Sequence, residues 1–151
     1  MTGDELKIKI SELLPSATFE DGTEWLTVAI KPEEWRSFAL QLRSPGQFDF
    51  DFLFCLTCVD WKTHLTMVYH FTSTIHRQPM VVKCTLDRGF PEIETVSDIW
   101  RTAEFHEREV FDLFGVKFLN HPDLRRLMMT DDWVGFPLRK DYDDPVNMIK
   151  L

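Results

Sequence analysis

DIWRTAEFHEREVFDLFG, residues 98–115, combines a helical repeat of apolar side chains with a glycine suited to end a helix. At 3.6 residues per turn, one apolar stripe contains Ile99, Ala103, Val110 and Phe114, with Trp100 and Phe111 at its edge. The pattern predicts a helix over 98–114 that follows Ser97, a plausible cap, and packs one face against a core.

Glu107 falls inside this apolar stripe, where a carboxylate would lose part of its hydration and need a cation. Arg108 points well away from the stripe, so the natural suppliers are Arg125, Arg126 and Arg139 in the chain that follows. We therefore predict a buried structural clamp between Glu107, Arg125 and Arg126. Acid–base catalysis is the alternative, but no second carboxylate, nucleophile or cofactor motif accompanies Glu107.

Residues 116–151 are rich in charge, proline and large apolar groups. Their apolar side chains follow neither a helical nor a strand period, and prolines and glycines interrupt any long element. These apolar residues are Phe118, Leu119, Leu124, Leu127, Met128, Met129, Trp133, Phe136, Leu138 and Tyr142. Because one small domain can cover only part of so long a tail, the remainder implies a partner protein. We predict a core domain over 1–115 and an extended, partner-binding tail over 116–151.

The charged residues of the tail alternate with apolar ones, which favours interface contacts over a solvated surface, because Arg and Trp dominate protein–protein contacts. The predicted partner interface comprises His121, Asp123, Trp133, Leu138, Arg139, Lys140 and Tyr142. An RNA-binding stripe would look similar, but the interleaved aspartates count against it.

Residues 107–142 read EREVFDLFGVKFLNHPDLRRLMMTDDWVGFPLRKDY. This stretch closely resembles the signature region of the 30-kilodalton subunit of NADH:quinone oxidoreductase, respiratory complex I. The resemblance rests on four blocks in the family's order and spacing: ERE at 107–109, DLFG at 112–115, HPDLRR at 121–126 and WxGxPLRKDY at 133–142.

The resemblance implies an accessory subunit of the peripheral arm of a proton-translocating enzyme. That enzyme passes electrons from NADH through FMN and iron–sulfur clusters to a quinone such as ubiquinone. In the family this subunit holds no cluster, so we expect no catalytic, cofactor-binding or metal-binding residue in this chain. It would hold neighbouring subunits together, chiefly the 49-kilodalton-type subunit, at the cytoplasmic face of the cell inner membrane. The equivalent subunit of a photosynthetic complex or a membrane-bound hydrogenase, with another electron donor, is an alternative.

The composition fits one domain with a real core, since the 151 residues are 44% hydrophobic and 13% aromatic. A formal charge of −8 argues against a nucleic-acid surface. No apolar run approaches the length of a membrane span, and the N-terminus lacks the pattern of a secretion signal. Three cysteines without such a signal fit a reducing compartment.

The residues before 98 predict an α+β fold. The apolar pattern at 6–14 favours a short helix that ends near Pro15, although the alternation of Ile8 and Ile10 leaves a strand possible. Strands at 16–20 and 24–30 would form a hairpin at Asp21-Gly22.

A second helix would open at 31–34, with a proline and acids in its first turn, and stop at Pro45-Gly46. Three strands would follow, at about 50–60, 65–72 and 80–86, and the first two would pair as an antiparallel hairpin. The predicted fold is therefore a mostly antiparallel sheet flanked by helices, with the extended tail at its C-terminal end.

Cys55-Leu56-Thr57-Cys58 has the spacing of zinc, iron–sulfur and redox sites, so a free-standing thiol or metal protein is a further alternative. On a strand, however, the two thiols would point to opposite faces, and a buried structural pair is favoured. The five histidines are interpreted as structural: for three of them because metal histidines need convergent partners, and for the two in or next to the signature region because satisfying backbone groups is favoured over proton transfer. They are His64, His70, His76, His106 and His121.

Overall fold

The computed structural model describes residues 1–149 and contains three helices and seven strands within that range. In chain order the elements are α1 (Gly3–Leu13), β1 (Thr18–Glu20), β2 (Leu26–Ala29), α2 (Pro32–Arg43), β3 (Phe52–Asp60), β4 (His64–Ser73), β5 (Gln78–Asp87), β6 (Glu92–Glu94), α3 (Ala103–Phe114) and β7 (Lys117–Leu119). The predicted α+β class is confirmed.

A mixed five-stranded sheet forms the centre of the fold, in the order β1-β2-β5-β4-β3. Neighbouring strands are antiparallel except β2 and β5, which run parallel. The two predicted hairpins, β1–β2 and β3–β4, are confirmed. β6 and β7 form a separate parallel pair, which no local pattern in the sequence had indicated.

The first two helices form where the local signals placed them. A capping box between Thr2 and Glu5 opens α1, and the burial of Leu6 and Ile10 with Ile8 exposed fits a helix rather than a strand. α2 has Pro32 in its first turn and buries one apolar face. That face consists of Trp35, Phe38, Ala39 and Leu42.

The predicted start of the third helix is wrong, because α3 begins at Ala103 rather than at residue 98. Residues 97–102 form turns whose side chains bind strand carbonyls: Trp100 Nε1 donates to Phe50 O, and Thr102 Oγ1 donates to Leu53 O. Ser97 is not the cap. These long-range bonds replace the first helical turn and hold the segment against the sheet.

The core lies on one face of the sheet, and β4 shows the alternation clearly. Leu65, Met67, Tyr69 and Phe71 are fully buried, and the aromatic rings of Trp35 on α2 and Trp100 pack against this face. Trp35 and Tyr69 have ring centroids 4.5 Å apart. The core is therefore closed by helices that pack on this face.

The core continues past residue 115, where the predicted tail begins. Val116 and Phe118 are buried, and β7 pairs with β6. Residues 116–119 thus belong to the core, and the extended part of the tail starts after them. Within residues 1–149, no helix is long and apolar enough to cross a membrane.

Candidate functional site

The segment after β7 is fastened to the end of α3 by a buried ion pair. Arg126 Nη1 lies 3.0 Å from Asp112 Oδ1, and the two side chains are 12% and 0% exposed. The other oxygen, Oδ2, accepts hydrogen bonds from the backbone N–H groups of Leu127, Met128 and Met129 at 2.6–3.2 Å. One carboxylate therefore fixes three consecutive residues of the tail. We call this contact the Asp112–Arg126 latch.

Arg126 extends the latch further along the tail. Its Nη2 donates to Trp133 O and Gly135 O, each at 3.0 Å, and Nη1 also donates to Asp112 O. A planar guanidinium can satisfy several carbonyls at once, which a lysine ammonium could not do in this geometry.

Burial disfavours the charged form of Asp112, yet the hydrogen bonds from Met129, Met128 and Arg126 outweigh it and lower the pKa of the carboxyl. Asp112 therefore stays ionised at neutral pH.

Phe136 is the second point of contact between tail and core. Its ring lies against Gly115, where an added Cβ would approach ring carbons to 2.6 Å. The guanidinium carbons of Arg126 and Arg139 lie 5.2 and 5.4 Å from the ring centroid. Gly115 also has φ of 77° and closes α3 in the left-handed conformation. A glycine is required there for both reasons.

A third contact joins the tail to the end of β3. Asp60 is 3% exposed and accepts hydrogen bonds from Lys140 N, Lys62 N and Arg88 Nη2. Arg88 also reaches Asp141 at 3.1 Å. Residues 126–140 are thus held at both ends by buried carboxylates.

The predicted clamp partners of Glu107 are wrong, although Glu107 itself is completely buried as its place in the apolar stripe predicted. Its oxygens accept hydrogen bonds from Thr95 Oγ1 and Val96 N. Arg126 instead pairs with Asp112, and Arg125 pairs with exposed Asp123. The β6–β7 pair brings residues 95 and 96 to α3, and neutral donors there replace the expected cation.

Arg108, expected to point away from the interior, is 6% exposed and donates to the backbone oxygens of Arg125 and Arg126. Asp112 was missed altogether. A usable signal existed, because an acid in the last turn of a helix opposes the helix dipole and needs compensation, and no basic residue occupies that turn of α3.

The cysteines and histidines do not converge. Cys55 and Cys58 lie on opposite faces of β3, with Cys58 buried and Cys55 only partly so, and burial raises the pKa of the Cys58 thiol to about 12. His121 Nε2 lies 3.1 Å from Glu104 O, and its Nδ1 accepts from Asp123 N, so this side chain satisfies backbone groups. Among residues 1–149, no three His, Cys, Asp or Glu side chains come together as metal ligands could.

The family model described as "Respiratory-chain NADH dehydrogenase, 30 Kd subunit" matches residues 28–146, which include β3, β4, β5, α3 and the latch. The chain belongs to this family. The predicted resemblance is confirmed.

Relatives support the family assignment along most of the chain. The C/D-type NADH-quinone oxidoreductase subunit from Phocaeicola vulgatus is 46% identical over 126 residues, covering 82% of this chain but only 24% of that protein. The C-type subunit from Moorella thermoacetica is 36% identical over 136 residues, covering 89% of this chain and 90% of that protein. The chain therefore spans about a quarter of the C/D-type relative and nearly all of the C-type one.

A solved structure of the membrane-bound sulfane sulfur reductase, described as an archaeal respiratory membrane complex, contains a chain of the same fold. That chain aligns with a TM-score of 0.80 at 29% identity, covering 93% of this chain and 85% of the other.

In this member of the 30-kilodalton subunit family, the predicted interface residues differ in exposure. Leu138 is 53% exposed, and Asp123 and Lys140 are exposed, whereas His121, Trp133, Arg139 and Tyr142 are half-buried. Arg139 Nε donates to Phe114 O at 2.6 Å, so this side chain holds the tail to the core.

Several apolar tail residues besides Leu138 are also exposed. We define the tail surface as Leu127, Met128, Val134, Leu138, Val146, Met148 and Ile149, which are 40–89% exposed.

Proposed function

We propose that this chain is an accessory subunit of a complex I-type NADH:quinone oxidoreductase. It sits in the peripheral arm at the cytoplasmic face of the membrane and docks neighbouring subunits, chiefly the 49-kilodalton-type subunit. The observation that carries the proposal is the family match over residues 28–146, together with a separate C-type relative of similar length in Moorella thermoacetica.

The tail surface supports a docking role. Exposed apolar side chains are costly in water when they cluster, and they gain free energy when a partner covers them. Four of them, Leu127, Met128, Val134 and Leu138, belong to residues 126–140, whose backbone is fixed by the latch, by Phe136 and by Asp60. A partner therefore meets a preformed surface and has little chain entropy to remove.

The chain would bind no flavin, nucleotide, cluster or metal of its own. The described side chains offer no convergent ligand set, and the thiols of Cys55 and Cys58 cannot reach one metal from opposite faces of a strand. Electron transfer would then belong to neighbouring subunits. The free-standing thiol protein is disfavoured for the same reason.

A second candidate is the equivalent subunit of a related complex with another electron donor. The similarity to a chain of an archaeal sulfane sulfur reductase favours keeping this candidate. The fold alone does not distinguish the two, because function depends on the subunits that assemble around it.

The proposal is tested by affinity purification of the native assembly through a tag on this chain, with identification of the subunits that co-purify. Flavin- and NADH-binding subunits alongside the 49-kilodalton-type subunit would support the NADH-dependent complex. A complex that contains the 49-kilodalton-type subunit but no flavin- or NADH-binding subunit would favour the second candidate. Recovery of the chain without any subunit of this kind would refute both.

Charged substitutions on the tail surface test where docking occurs. Val134→Glu with Leu138→Glu should leave the thermal unfolding of the isolated chain unchanged, because both side chains are exposed. The variant should nevertheless lose co-purifying subunits, since burying an unpaired charge costs at least about 2 kcal/mol per site. The matched control is Ile75→Glu, which alters an exposed apolar residue in the β4–β5 turn. Equal recovery of subunits from both variants would show that the tail surface is not the docking site.

A further inference from the structure

The carboxyl group of Glu107 is completely buried, and both of its oxygens lie close to a single hydroxyl group. Thr95 Oγ1 is 3.0 Å from Oε1 and 2.7 Å from Oε2, while Val96 N donates to Oε1 at 2.9 Å. The described hydrogen-bond partners of Glu107 are therefore neutral. A buried carboxylate in such a setting favours its protonated form.

The Thr95 hydroxyl is also hydrogen-bonded to a second hydroxyl, that of Ser97, which lies nearer the surface. Thr95 Oγ1 lies 2.9 Å from Ser97 Oγ and accepts a hydrogen bond from Ser97 N. Ser97 lines a cleft of about 370 Å³ that opens to solvent beside α2 and α3, and Thr95 borders the same cleft. Glu107, Thr95 and Ser97 thus form a chain of oxygen atoms that leads from the interior to the cleft.

This oxygen chain can serve both protonation states of Glu107 without moving a heavy atom. Each hydroxyl has one proton to donate and can accept as well. When Glu107 is ionised, Ser97 donates to Thr95 and Thr95 donates to Glu107. When Glu107 is protonated, Oε2 donates to Thr95 and Thr95 donates to Ser97. The direction of every hydrogen bond in the chain reverses between the two states.

The charged groups around Glu107 are few and partly cancel. At the cleft, Arg36 on α2 forms a two-pronged ion pair with Asp98, at 2.9 and 2.7 Å. Glu94 and Glu104 also line the cleft. On the interior side, Tyr69 on β4 is fully buried, and burial keeps its pKa well above the usual range, so it remains neutral. The charges that act on Glu107 therefore lie at the cleft, where Arg36 favours its ionised form and Asp98 opposes it.

We propose that Glu107 is a proton-exchange site that communicates with the cleft through Thr95 and Ser97 while the fold stays intact. In proton uptake, Ser97 Oγ receives a proton from water in the cleft and passes its own proton to Thr95 Oγ1. Thr95 passes its proton to Glu107 Oε2. In release the three transfers run in reverse, which restores the starting arrangement of the two hydroxyls. No covalent bond to carbon changes, and no oxidant or reductant is needed.

The site would respond near neutral pH. Burial raises the pKa of Glu107 to about 7, while the hydrogen bonds from Thr95 and Val96 and the charge of Arg36 oppose the rise and Asp98 adds to it. Proton uptake also changes the cleft, because the Ser97 hydroxyl then accepts from Thr95 and is free to donate to a group in the cleft. A partner that binds there would couple its binding to this proton. The proposal does not depend on the assembly proposed above.

Infrared spectroscopy of the full chain tests the site directly, because an un-ionised carboxyl group has a C=O band distinct from those of carboxylates. A protonated-carboxyl band should be present at about pH 6 and disappear with a midpoint of about 7. The band should be missing in Glu107→Gln. A band that is missing at about pH 6 in the wild type, or that persists unchanged at about pH 9, would overturn the proposal.

The route is tested by deuterium exchange of the same band in Ser97→Ala and Thr95→Ser. Ser97→Ala removes the outer hydroxyl and keeps the backbone N–H that binds Thr95, so the band should persist but exchange more slowly. Thr95→Ser keeps the inner hydroxyl and should exchange at the wild-type rate. Wild-type exchange in Ser97→Ala would overturn the route through Ser97. The wild-type titration tests the protonation of Glu107, and these two variants test the route, even if Glu107→Gln fails to fold.

Discussion

Replacing Asp112 with Asn is the sharpest test of how the tail is held, because it keeps the shape of the side chain and removes its charge. In the wild type, Asp112 Oδ2 accepts three backbone N–H groups and Oδ1 pairs with Arg126. Asn has one acceptor oxygen and one NH₂ group. Whichever way it is placed, an NH₂ group faces either the three N–H donors or the guanidinium.

The expected cost follows from burial. Asp112 is 0% exposed and Arg126 is 12% exposed, so the variant leaves Arg126 as a poorly hydrated charge without its partner. Removing one member of a buried ion pair typically costs about 3–5 kcal/mol. For a chain of this size, that loss corresponds to a decrease in Tm of roughly 6–20 °C.

The assay is chemical and thermal unfolding of the purified chain, followed by circular dichroism, with Asp123→Asn as the matched control. Asp123 pairs with Arg125, but the two side chains are 49% and 66% exposed, so this pair should contribute less than about 1 kcal/mol. Because the pKa of Asp112 is lowered in the fold, its contribution is present above its unfolded pKa of about 3.9 and is lost as pH falls through its folded pKa. Equal and small effects of the two substitutions would refute the latch.

Two further predictions concern α3. Gly115→Ala should destabilise the chain by about 1–2 kcal/mol or more in the same unfolding assay, because the residue has positive φ and the added Cβ would meet Phe136. The control is Gly22→Ala, since Gly22 also has positive φ but has open space around it, so the difference between the two variants measures the steric part. The carboxyl of Glu107 has an ordinary pKa of 4.5 and a pKa of about 7 in the fold. Between these two pH values the folded state keeps a proton that the unfolded chain releases, so the free energy of unfolding of the wild type should fall by about 3 kcal/mol as the pH rises from the first to the second. Glu107→Gln should remove that decline, and a decline of equal size in the variant would assign it to other groups.

Local signals in the sequence predicted most elements correctly because their causes are local. Asp21-Gly22 marks the β1–β2 hairpin, and Pro32 with Pro45-Gly46 brackets α2. The parallel pairing of β2 with β5 could not be predicted in this way, since the strands are about fifty residues apart and each would be compatible with several neighbours. The late start of α3 has a similar cause. Trp100 and Thr102 bind carbonyls on residues about fifty positions away, and helix propensities, which depend on local sequence, cannot predict such bonds.

The candidate site was predicted only in part, because some of its features have local causes and others depend on long-range contacts. Periodicity placed Glu107 in the interior, because burial on a helix depends on the residue's own position. Its partner depended on where β6 lies, and β6 is a three-residue strand that forms only beside β7. The sequence shows Asp112 as an acid at the C-terminal end of a helix, where it opposes the helix dipole. Its partner, Arg126, could not be predicted without the path of the tail, and the basic residues assigned to Glu107 were wrong for the same reason.

The two buried acids of α3 differ in a way that assigns them different roles. Asp112 accepts from an arginine and three amides, which lowers its pKa and makes it a permanent charge that fixes the tail. Glu107, five residues earlier, accepts from neutral donors, and burial raises its pKa toward neutrality. A permanently ionised group suits a contact that must hold the tail surface rigid for docking, since rigidity lowers the entropic cost of binding. A group that titrates near neutral pH suits exchange of a proton, and Glu107 reaches the cleft through Thr95 and Ser97, whereas Asp112 binds residues 126–129 of the tail.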